Sequence, residues 1–492
     1  MPKKLGAFIL LLAALWVLAG CTNWRSSLTT ASTNPRDFVP EHPIHTDHSH
    51  IVNGDFKTGQ DVTRACLECH ADSAQQIMHT THWTWEGEPV TVPWRDEPVT
   101  IGKANQINNF CISAQGNEKK CTTCHVGYGW GSEESFDFTN PENVDCLACH
   151  ANAALYSKGN YGNPSDTTDL LAAARSVRAP TREECGKCHF DGGGGNNVKH
   201  GELDESLYFP SQNLDVHMGG LNFLCTDCHT TQDHVIKGKL LADNYTINPT
   251  QQVACEDCHK GEFHTDERIN THLTSVACQT CHVPALALKN PTKTYWDWST
   301  AGQDLEEDHY TYLKIKGSFQ YEDQILPTYA WFNGNIAYRY LLGDAIDPTK
   351  VTDLVEPAGN IDDPAAKIFP FKIHEANQPY DTVNNILIPP RTAGENGFWT
   401  TFDWPSALEM GAQDVGLDYS GHYSFTLTTM AYPTTHMVQP KEKALQCTDC
   451  HSPEGRLNWE ALGYPGDPME WGARDVVKQA NTQASGKISA QP

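Results

Sequence analysis

The stretch that decides the fold begins with Cys66-Leu-Glu-Cys69-His70 and ends with Cys278-Gln-Thr-Cys281-His282. Within it the pattern Cys-x-x-Cys-His occurs seven times, and an eighth copy, Cys447-Thr-Asp-Cys450-His451, stands alone further on. A single copy is as compatible with a zinc knuckle or a redox dithiol as with a haem site. Eight copies that all keep the trailing histidine indicate c-type haem attachment, in which two thiols add to the porphyrin vinyl groups.

The sequence therefore predicts eight covalently bound haem c groups, each with one axial iron ligand from its own motif. The attachment thiols belong to Cys66, Cys69, Cys121, Cys124, Cys146, Cys149, Cys185, Cys188, Cys225, Cys228, Cys255, Cys258, Cys278, Cys281, Cys447 and Cys450. The motif histidines are His70, His125, His150, His189, His229, His259, His282 and His451. Of the 18 cysteines, this leaves Cys21 and Cys111.

The density of motifs also limits the fold class. Seven motifs in one stretch leave about thirty residues per haem, too few for an ordinary aliphatic core, so the haems must supply buried apolar surface. We expect a multihaem cytochrome c that is mostly irregular, with short α-helices packed on haems around residues 71–79, 169–177 and 182–188. A largely haem-free, aromatic-rich segment should contain some β-structure, in the aromatic clusters at residues 294–298, 319–321, 328–332, 398–402 and 422–426.

The first twenty residues have the features of a targeting segment. Lys3 and Lys4 precede an apolar stretch, and the end, Leu18-Ala19-Gly20-Cys21, is typical of a bacterial lipobox. We therefore expect a signal peptide at 1–20, a lipidated Cys21, and export to the periplasmic or outer-membrane and cell-surface side. The alternatives are an ordinary secretory signal with an incidental cysteine, or a transmembrane anchor, for which the apolar run is short.

The remaining chain divides by composition. We expect a tether and His-rich N-terminal arm at 22–60 and a haem-binding region with seven haems at 61–290. A haem-free segment covering the haem core should follow at 291–440, although a separate domain with its own aromatic core is the alternative. The eighth haem and a return to the core are expected at 441–475, and a disordered tail at 476–492.

The formal net charge of −26 restricts the partners. It argues against nucleic acid and anionic lipid headgroups, and it favours docking to basic patches on other redox proteins. The expected partners are a small inorganic substrate, redox proteins such as other cytochromes or quinol-linked donors, and a membrane held through the lipid. A homo-oligomer is compatible with the sequence.

The second axial ligands decide between electron transfer and catalysis. Of 23 histidines, eight belong to the motifs and fifteen do not. His79 competes with its neighbour His82, and the run from His42 to His50 is an alternative metal-binding tract. Two imidazoles hold iron in six-coordination, whereas catalysis needs an iron whose second site is weakly held or open. The non-motif histidines nearest the motifs are the expected second axial ligands: His48, His82, His200, His217, His234, His264, His272 and His436.

Beyond the motifs, the chain resembles the octahaem c-type cytochromes of the tetrathionate reductase family. The resemblance runs in order through nearly the whole mature chain. It is carried by Ala65-Cys-Leu-Glu-Cys-His70, Thr81-His-Trp-Thr-Trp-Glu86, Asn109-Phe-Cys-Ile112, Cys121-Thr-Thr-Cys-His-Val-Gly-Tyr-Gly-Trp130, Asp145-Cys-Leu-Ala-Cys-His150, Tyr156-Ser-Lys158, Val198-Lys-His-Gly-Glu-Leu-Asp204, Asp215-Val-His-Met-Gly219, Val276-Ala-Cys-Gln-Thr-Cys-His-Val-Pro284 and Thr435-His-Met437.

The resemblance implies an active-site haem on the second motif. Its distal ligand would be Lys158, opposite His125, and Cys111 would be a nearby free thiol able to form a mixed disulfide with a sulfur substrate. Without the resemblance, Lys158 is equally a surface lysine and Cys111 a small buried residue. The family tends to carry an acid directly after the third motif, and this chain has Ala151-Asn152-Ala153 there. This departure implies that the substrate or the rate of this protein differs from that of the family.

Two functions follow from these features. The first is a multihaem oxidoreductase that delivers electrons to the second haem and reduces tetrathionate, nitrite or hydroxylamine. The alternative is a non-catalytic conduit for extracellular electron transfer, including a polymerised haem wire. A metal-storage role for the His-rich arm is a minor third hypothesis.

Overall fold

Short helices punctuate an otherwise irregular backbone in the haem-motif region. The computed structural model describes residues 34–132, 136–238 and 252–477. Its α-helices are Gly59–Leu67, Ser73–Met78, Glu118–Cys121, Leu147–His150, Leu170–Arg175, Arg182–His189, Cys225–Cys228, Glu267–His272, Cys278–His282, Phe398–Thr401, Trp404–Asp414, Cys447–Cys450 and Pro468–Trp471. Single 3₁₀ turns are Pro35–Phe38, Thr122–Cys124, Pro141–Asn143, Asn160–Gly162, Glu205–Leu207, Cys255–Asp257, Trp298–Thr300 and Lys441–Lys443.

Capping residues explain why two of the longer helices start where they do. Thr58 and Asp61 form a reciprocal capping box at the helix Gly59–Leu67, and Thr181 and Glu184 do the same at Arg182–His189. Each box satisfies backbone N–H groups that have no partner inside the helix. Because these helices lead into the first and fourth motifs, the caps fix the direction in which those motifs enter the interior.

The C-terminal half contains most of the strands. They are β1 (Thr231–Gln232), β2 (Val235–Ile236), β3 (Thr292–Asp297), β4 (Tyr312–Leu313), β5 (Gly317–Glu322), β6 (Thr328–Phe332), β7 (Ile336–Tyr338), β8 (Thr352–Pro357), β9 (Lys367–Asp381), β10 (Ile386–Leu387) and β11 (Tyr423–Pro433). β1 and β2 form a small hairpin, and the other nine form one mixed sheet in the order β4-β5-β3-β9-β11-β8-β7. β9 is its centre, antiparallel to β11 on one edge and bordered by β6, β3 and β10 on the other.

Aromatic side chains fill the core on this sheet. One cluster joins Tyr338, Tyr340 and Tyr432 to residues before the second motif, including Phe110. A second cluster joins Trp296 and Trp298 on β3 and its following turn to Phe319, Phe398, Trp404 and Ile112. Both clusters contact Cys111. The sheet therefore supports the segment that precedes the second motif.

The predicted fold class is confirmed, with one correction. The short helices fall at Ser73–Met78, Leu170–Arg175 and Arg182–His189, within or close to the ranges expected from sequence. Residues Phe398–Thr401, which we expected to be β-structure, are helical, and Phe402 ends the helix in the left-handed conformation. Aromatic content alone misled here, because Phe398 is buried by packing against Trp404 at a ring-centroid distance of 4.2 Å.

The described residues divide into two compact units. The smaller combines the N-terminal segment ending at Glu41 with Ala254–Asn270, and it carries the sixth motif. The larger contains the other seven. In residues 34–132, 136–238 and 252–477, no helix is both long and apolar enough to cross a membrane. The predicted leader, lipobox and Cys21 lie outside these ranges, as does most of the predicted tail.

Candidate functional site

Most motifs form a single helical turn that brings both thiols and the histidine together. The histidine N–H donates to the carbonyl of the first cysteine at 2.9 Å for His70, 2.8 Å for His229 and 2.8 Å for His451. Cysteines three residues apart on such a turn lie on one face. This arrangement is the one that two vinyl attachments and an adjacent axial ligand require.

Five motif histidines face a second histidine ring from elsewhere in the chain. The ring-centroid distances fall between 6.1 and 6.4 Å. The facing rings are His70 with His48, His150 with His234, His189 with His82, His229 with His436, and His451 with His272.

This spacing fits a haem iron between the rings. Two metal–nitrogen bonds of about 2 Å, together with the distance from each nitrogen to its ring centre, separate the centroids by about 6 Å. The Nδ1 atoms of His150, His229 and His451 are already hydrogen-bonded, to Arg178 O at 3.0 Å, Lys237 O at 2.7 Å and Asp467 at 2.6 Å. Each bond leaves Nε2 for the iron, which is the usual arrangement for a metal-bound histidine.

The other candidate ligands lie as follows. His45 also faces His150, at 6.3 Å, so the third motif has two rings beside it. His79 is exposed and bonds Gln75 O at 2.6 Å, whereas its neighbour His82 faces His189. His200 is next to Tyr432 at 5.7 Å, His217 stacks on Phe223 at 5.9 Å, and His264 is within 3.2 Å of Asn270 in the smaller unit.

Thiols of different motifs lie close to one another. Cys66 is a neighbour of Cys146, Cys124 of Cys188, and Cys185 of Cys225. These sulfur atoms are thioether sulfurs once haem is attached, so their proximity brings macrocycle edges together. It links the first motif to the third, and the second and fifth motifs to the fourth.

The second motif differs from the others. His125 donates its backbone N–H to Thr122 O, one residue later than elsewhere, and its ring Nε2 is 2.9 Å from Trp83 O. Its ring neighbours are Trp83, Trp130, Phe136 and Phe138, and no second histidine ring contacts it within the described chain. Burial in this aromatic cage lowers the pKa of His125 to about 4.

Two lysines are close to this motif. The amine of Lys158 donates to the carbonyls of His125 and Gly127, and it lies 3.0 Å from the carboxylate of Asp145. Only 9% of the Lys158 side chain is exposed, and Asp145 is fully buried. The structure thus places Lys158 beside the second motif, in a buried ion pair.

Lys199 is the second of these lysines, and the sequence reasoning did not single it out. Its amine lies over the rings of Phe110 and Tyr432, 5.5 and 5.8 Å from their centroids, and its charged neighbours are Lys103 and Cys124 of the second motif. Burial lowers the pKa of Lys199 to about 7. The sequence feature that could have identified Lys199 is its position directly before His200, a predicted iron ligand.

Cys111 lies on the same side of the second motif. Its N–H is held by Asn108 Oδ1 at 2.8 Å, and its thiol has Cys121, Lys293 and Lys316 as charged neighbours. It contacts both aromatic clusters of the sheet. A free thiol, two attachment thiols and several amines therefore share one region.

Comparison with known proteins agrees with this geometry. The family profile for bacterial cytochrome c matches residues 293–454, and the profile for cytochrome c7 and related cytochrome c matches residues 211–292. An uncharacterized protein of Archaeoglobus fulgidus is 26% identical, over 38% of this chain and 79% of its own length. The crystal structure of an octahaem cytochrome c from Shewanella oneidensis is 45% identical, covers 87% of this chain and 98% of its own, and superposes with a TM-score of 0.80. The chain belongs to the octahaem cytochromes c.

The cytochrome is accordingly a redox protein with covalently bound haem c and a role in electron transfer. The described residues fit that cofactor. The thiol pairs sit on helical turns, and five pairs of imidazole rings are spaced for one iron each.

Proposed function

We propose that this octahaem cytochrome delivers electrons to an active-site haem on the second motif and there reduces small oxidised sulfur or nitrogen compounds such as tetrathionate, nitrite or hydroxylamine. The observation that carries the proposal is the contrast between His125 and the five histidines that face another imidazole. Bound haem supplies one-electron chemistry and an iron that accepts a small ligand when its second site is weakly held.

The paired histidines have an electron-transfer role in this proposal. Two imidazoles fill both axial positions, so a haem held between them has no site for substrate. The pairs are His48 with His70, His82 with His189, His234 with His150, His436 with His229, and His272 with His451. The sixth and seventh motifs would take their distal ligands from His200, His217 and His264, so that one of these three is left over when a lysine serves the second motif.

The second motif needs an amine that is neutral and free to bind iron. Lys158 was the residue implied by the family resemblance, but its amine is held by the buried carboxylate of Asp145 and by the carbonyls of His125 and Gly127, and it would have to leave these partners to bind iron. Among the described residues, the amine of Lys199 lies over the rings of Phe110 and Tyr432 and pairs with no carboxylate. We therefore favour Lys199 as the distal residue of the second haem, and we assign Lys158 to holding the backbone of the motif.

Cys111 is the proposed covalent partner for a sulfur substrate. Its thiolate would attack the central sulfur–sulfur bond of tetrathionate, forming one sulfur–sulfur bond, breaking another and releasing thiosulfate. Two electrons arriving at the second motif would then cleave the new sulfur–sulfur bond, which releases a second thiosulfate and restores the thiolate of Cys111. Nitrogen substrates need no such step, so loss of the thiol should separate the two substrate classes.

The test compares Lys199→Met with Lys158→Met in the full holoprotein. We expect wild-type protein to show, by electron paramagnetic resonance and magnetic circular dichroism, one low-spin haem that is not bis-histidine. Lys199→Met should abolish that signal and create a high-spin centre, and Lys158→Met should retain it. Turnover of tetrathionate, nitrite and hydroxylamine with a reduced viologen completes the test. Eight bis-histidine haems without turnover would instead leave the cytochrome as an electron conduit.

The location and partners remain part of the proposal. We propose export, a lipid on Cys21, and docking of the acidic surface to basic patches on redox partner proteins. Labelling with palmitate in cells, with Cys21→Ser as the control, tests the lipid.

A further inference from the structure

The segment that follows the eighth motif, residues 467–477, is anchored at two points. At its start, the carboxylate of Asp467 lies 2.6 Å from Nδ1 of the motif histidine His451 and accepts the N–H of Met469 at 2.9 Å. Near its end, the buried guanidinium of Arg474 donates to two backbone carbonyls of the segment before β9, at 2.6 and 2.9 Å. The segment is therefore fixed to the eighth motif and to the core.

Three large apolar side chains on this anchored segment are exposed to solvent. The exposed fractions are 74% for Met469, 57% for Trp471 and 55% for Val476. Val476 packs against Gly472, which directly follows Trp471, so the side chains are neighbours. Single exposed apolar residues are common on protein surfaces, but a cluster of large ones on a fixed segment indicates an interaction site. We call Met469, Trp471 and Val476 the Trp471 patch.

The charges around the Trp471 patch have one sign. Both arginines between residues 454 and 477 are engaged with the core, since Arg456 donates to Pro284 O at 2.6 Å and Arg474 is buried. An apolar centre inside a charged rim is the usual anatomy of a protein interface, and an acidic rim fits a partner with a basic one. The exposed charged side chains in this range are all acidic: Glu454, Glu460, Glu470 and Asp475.

The Trp471 patch is also one helical turn from an axial ligand. The N–H of Trp471 donates to the carbonyl of Asp467 at 3.0 Å, and the carboxylate of the same residue holds His451. A protein seated on the patch would therefore lie beside the eighth motif. Weak electron-transfer complexes need only a small interface, so a patch of this size suits such an encounter.

We propose that the Trp471 patch is the docking surface for a redox protein whose own cofactor edge is apolar and ringed by lysine and arginine. One electron passes from the centre of the partner, which is oxidised, to the iron on the eighth motif, which is reduced. The inference rests on the redox partners of the proposed function and gives them a site on the chain. It does not depend on which residue caps the second haem.

Ferric mitochondrial cytochrome c is the probe, because it is basic and takes up one electron at a haem edge ringed by lysines. The octahaem protein is reduced with dithionite, desalted without oxygen and mixed with the probe in a stopped-flow instrument at low ionic strength. Met469→Ser and Trp471→Ser should each lower the second-order rate constant about fivefold. Glu470→Gln combined with Asp475→Asn should lower it about threefold and weaken its dependence on salt.

The matched controls are Val383→Ser and Glu409→Gln, which change an apolar and an acidic side chain that are also exposed. Both should leave the rate constant unchanged. Because the Trp471 ring packs against Gly466, its loss also alters the local packing, and Met469→Ser therefore keeps the test decisive. Unchanged reduction potentials in Met469→Ser would separate lost docking from a disturbed eighth haem.

Hydroxyl-radical oxidation, read by mass spectrometry, locates the bound probe without any electron transfer. Met469 and Trp471 should be oxidised readily in the free holoprotein, and about fivefold more slowly with saturating ferric cytochrome c. Phe209 is 83% exposed and is the control, with an unchanged oxidation rate.

Two results would overturn the docking site. Slow oxidation of Met469 in the free holoprotein would show that the chain itself or a second copy covers the patch. Equal rate constants for the patch variants and their controls would place the exchange of electrons elsewhere. If the patch variants behave as expected but the second haem is bis-histidine without turnover, the docking site stands and the proposed reductase function fails.

Discussion

The amine of Lys158 lies 3.0 Å from the carboxylate of Asp145, and the pair is closed off from solvent beneath the second motif. Asp145 also accepts a hydrogen bond from the hydroxyl of Tyr156 at 2.7 Å and from the N–H of Ala148 at 3.0 Å. Removing one partner of a buried ion pair leaves the other charge unpaired. The pair is therefore a structural element of the second-motif region.

Asp145→Asn should lower the free energy of unfolding by about 3 kcal/mol. Lys158→Met should have a similar effect, and the double variant should cost clearly less than the two single changes together, because no uncompensated charge remains. The free energies of unfolding of the wild type, the two single variants and the double variant are measured by denaturant unfolding followed by tryptophan fluorescence. Additive effects would show that the two side chains do not form the pair seen here.

His82→Ala should remove the second axial ligand from one haem iron. His82 faces His189 at 6.2 Å, so its loss should convert the haem of the fourth motif to a high-spin form that binds added imidazole. His79→Ala is the control, since His79 is exposed and should leave the absorption and resonance Raman spectra unchanged. The reverse result would make His79 the ligand.

Asp467→Asn should raise the reduction potential of the haem on the eighth motif. The carboxylate lies 2.6 Å from His451 Nδ1, where it draws the ring proton and makes the imidazole a stronger donor to ferric iron. Asparagine keeps the hydrogen bond and the helix cap to Met469 N but removes the charge. Spectroelectrochemical titration should show one potential moving upward and the others in place. An unchanged potential contradicts the prediction.

Gly162→Ala should disturb the second motif. Gly162 has a φ of +71°, and a Cβ there would meet Gly127 O at 2.7 Å and Thr122 O at 2.9 Å. Gly416→Ala is a matched control, because Gly416 has a φ of +68° with nothing within 4 Å. The control should lose about 1 kcal/mol from backbone strain alone. Gly162→Ala should lose more and change the spectrum of the second haem, and equal losses would argue against the contact.

Asp381→Asn should weaken the end of the central strand in a pH-dependent way. The carboxylate is fully buried and accepts hydrogen bonds from Val383 N, Asn384 N and Ser420 N, which hold the pKa of Asp381 below its usual range despite burial. A lowered pKa contributes stability above the unfolded pKa, and that stability is lost as the pH falls through the folded value. The variant should be about 2 kcal/mol less stable at pH 7, with a shrinking difference below about pH 4. A constant difference across this range would exclude ionisation as the cause.

The sequence predicted the elements that local signals encode. The spacing of the motifs indicated haem attachment, and the helices expected near 169–177 and 182–188 are present as Leu170–Arg175 and Arg182–His189. The long-range arrangement was not predictable in this way. β9 pairs with β3, β6 and β11, which lie far apart in the chain, and tertiary packing brings these strands together.

In the candidate site, too, local features were predictable from the sequence and long-range contacts were not. His82 and His436 lie far in sequence from the motif histidines that they face, and proximity to a motif suggested them only because histidines are abundant here. Lys199 was missed because nothing in the local sequence separates a buried lysine from one in solvent. Its burial depends on Phe110 and Tyr432, residues from two distant segments.

The proximity of sulfur atoms from different motifs has a consequence for timing. Since Cys124 lies close to Cys188, and Cys185 lies close to Cys225, the second motif is connected through the fourth to the fifth. A haem connected to other haems in this way can receive several electrons in quick succession from neighbours that are already reduced. If the second haem reduces a substrate as we propose, a partner that donates one electron per encounter would then suffice even for a reduction that needs several electrons.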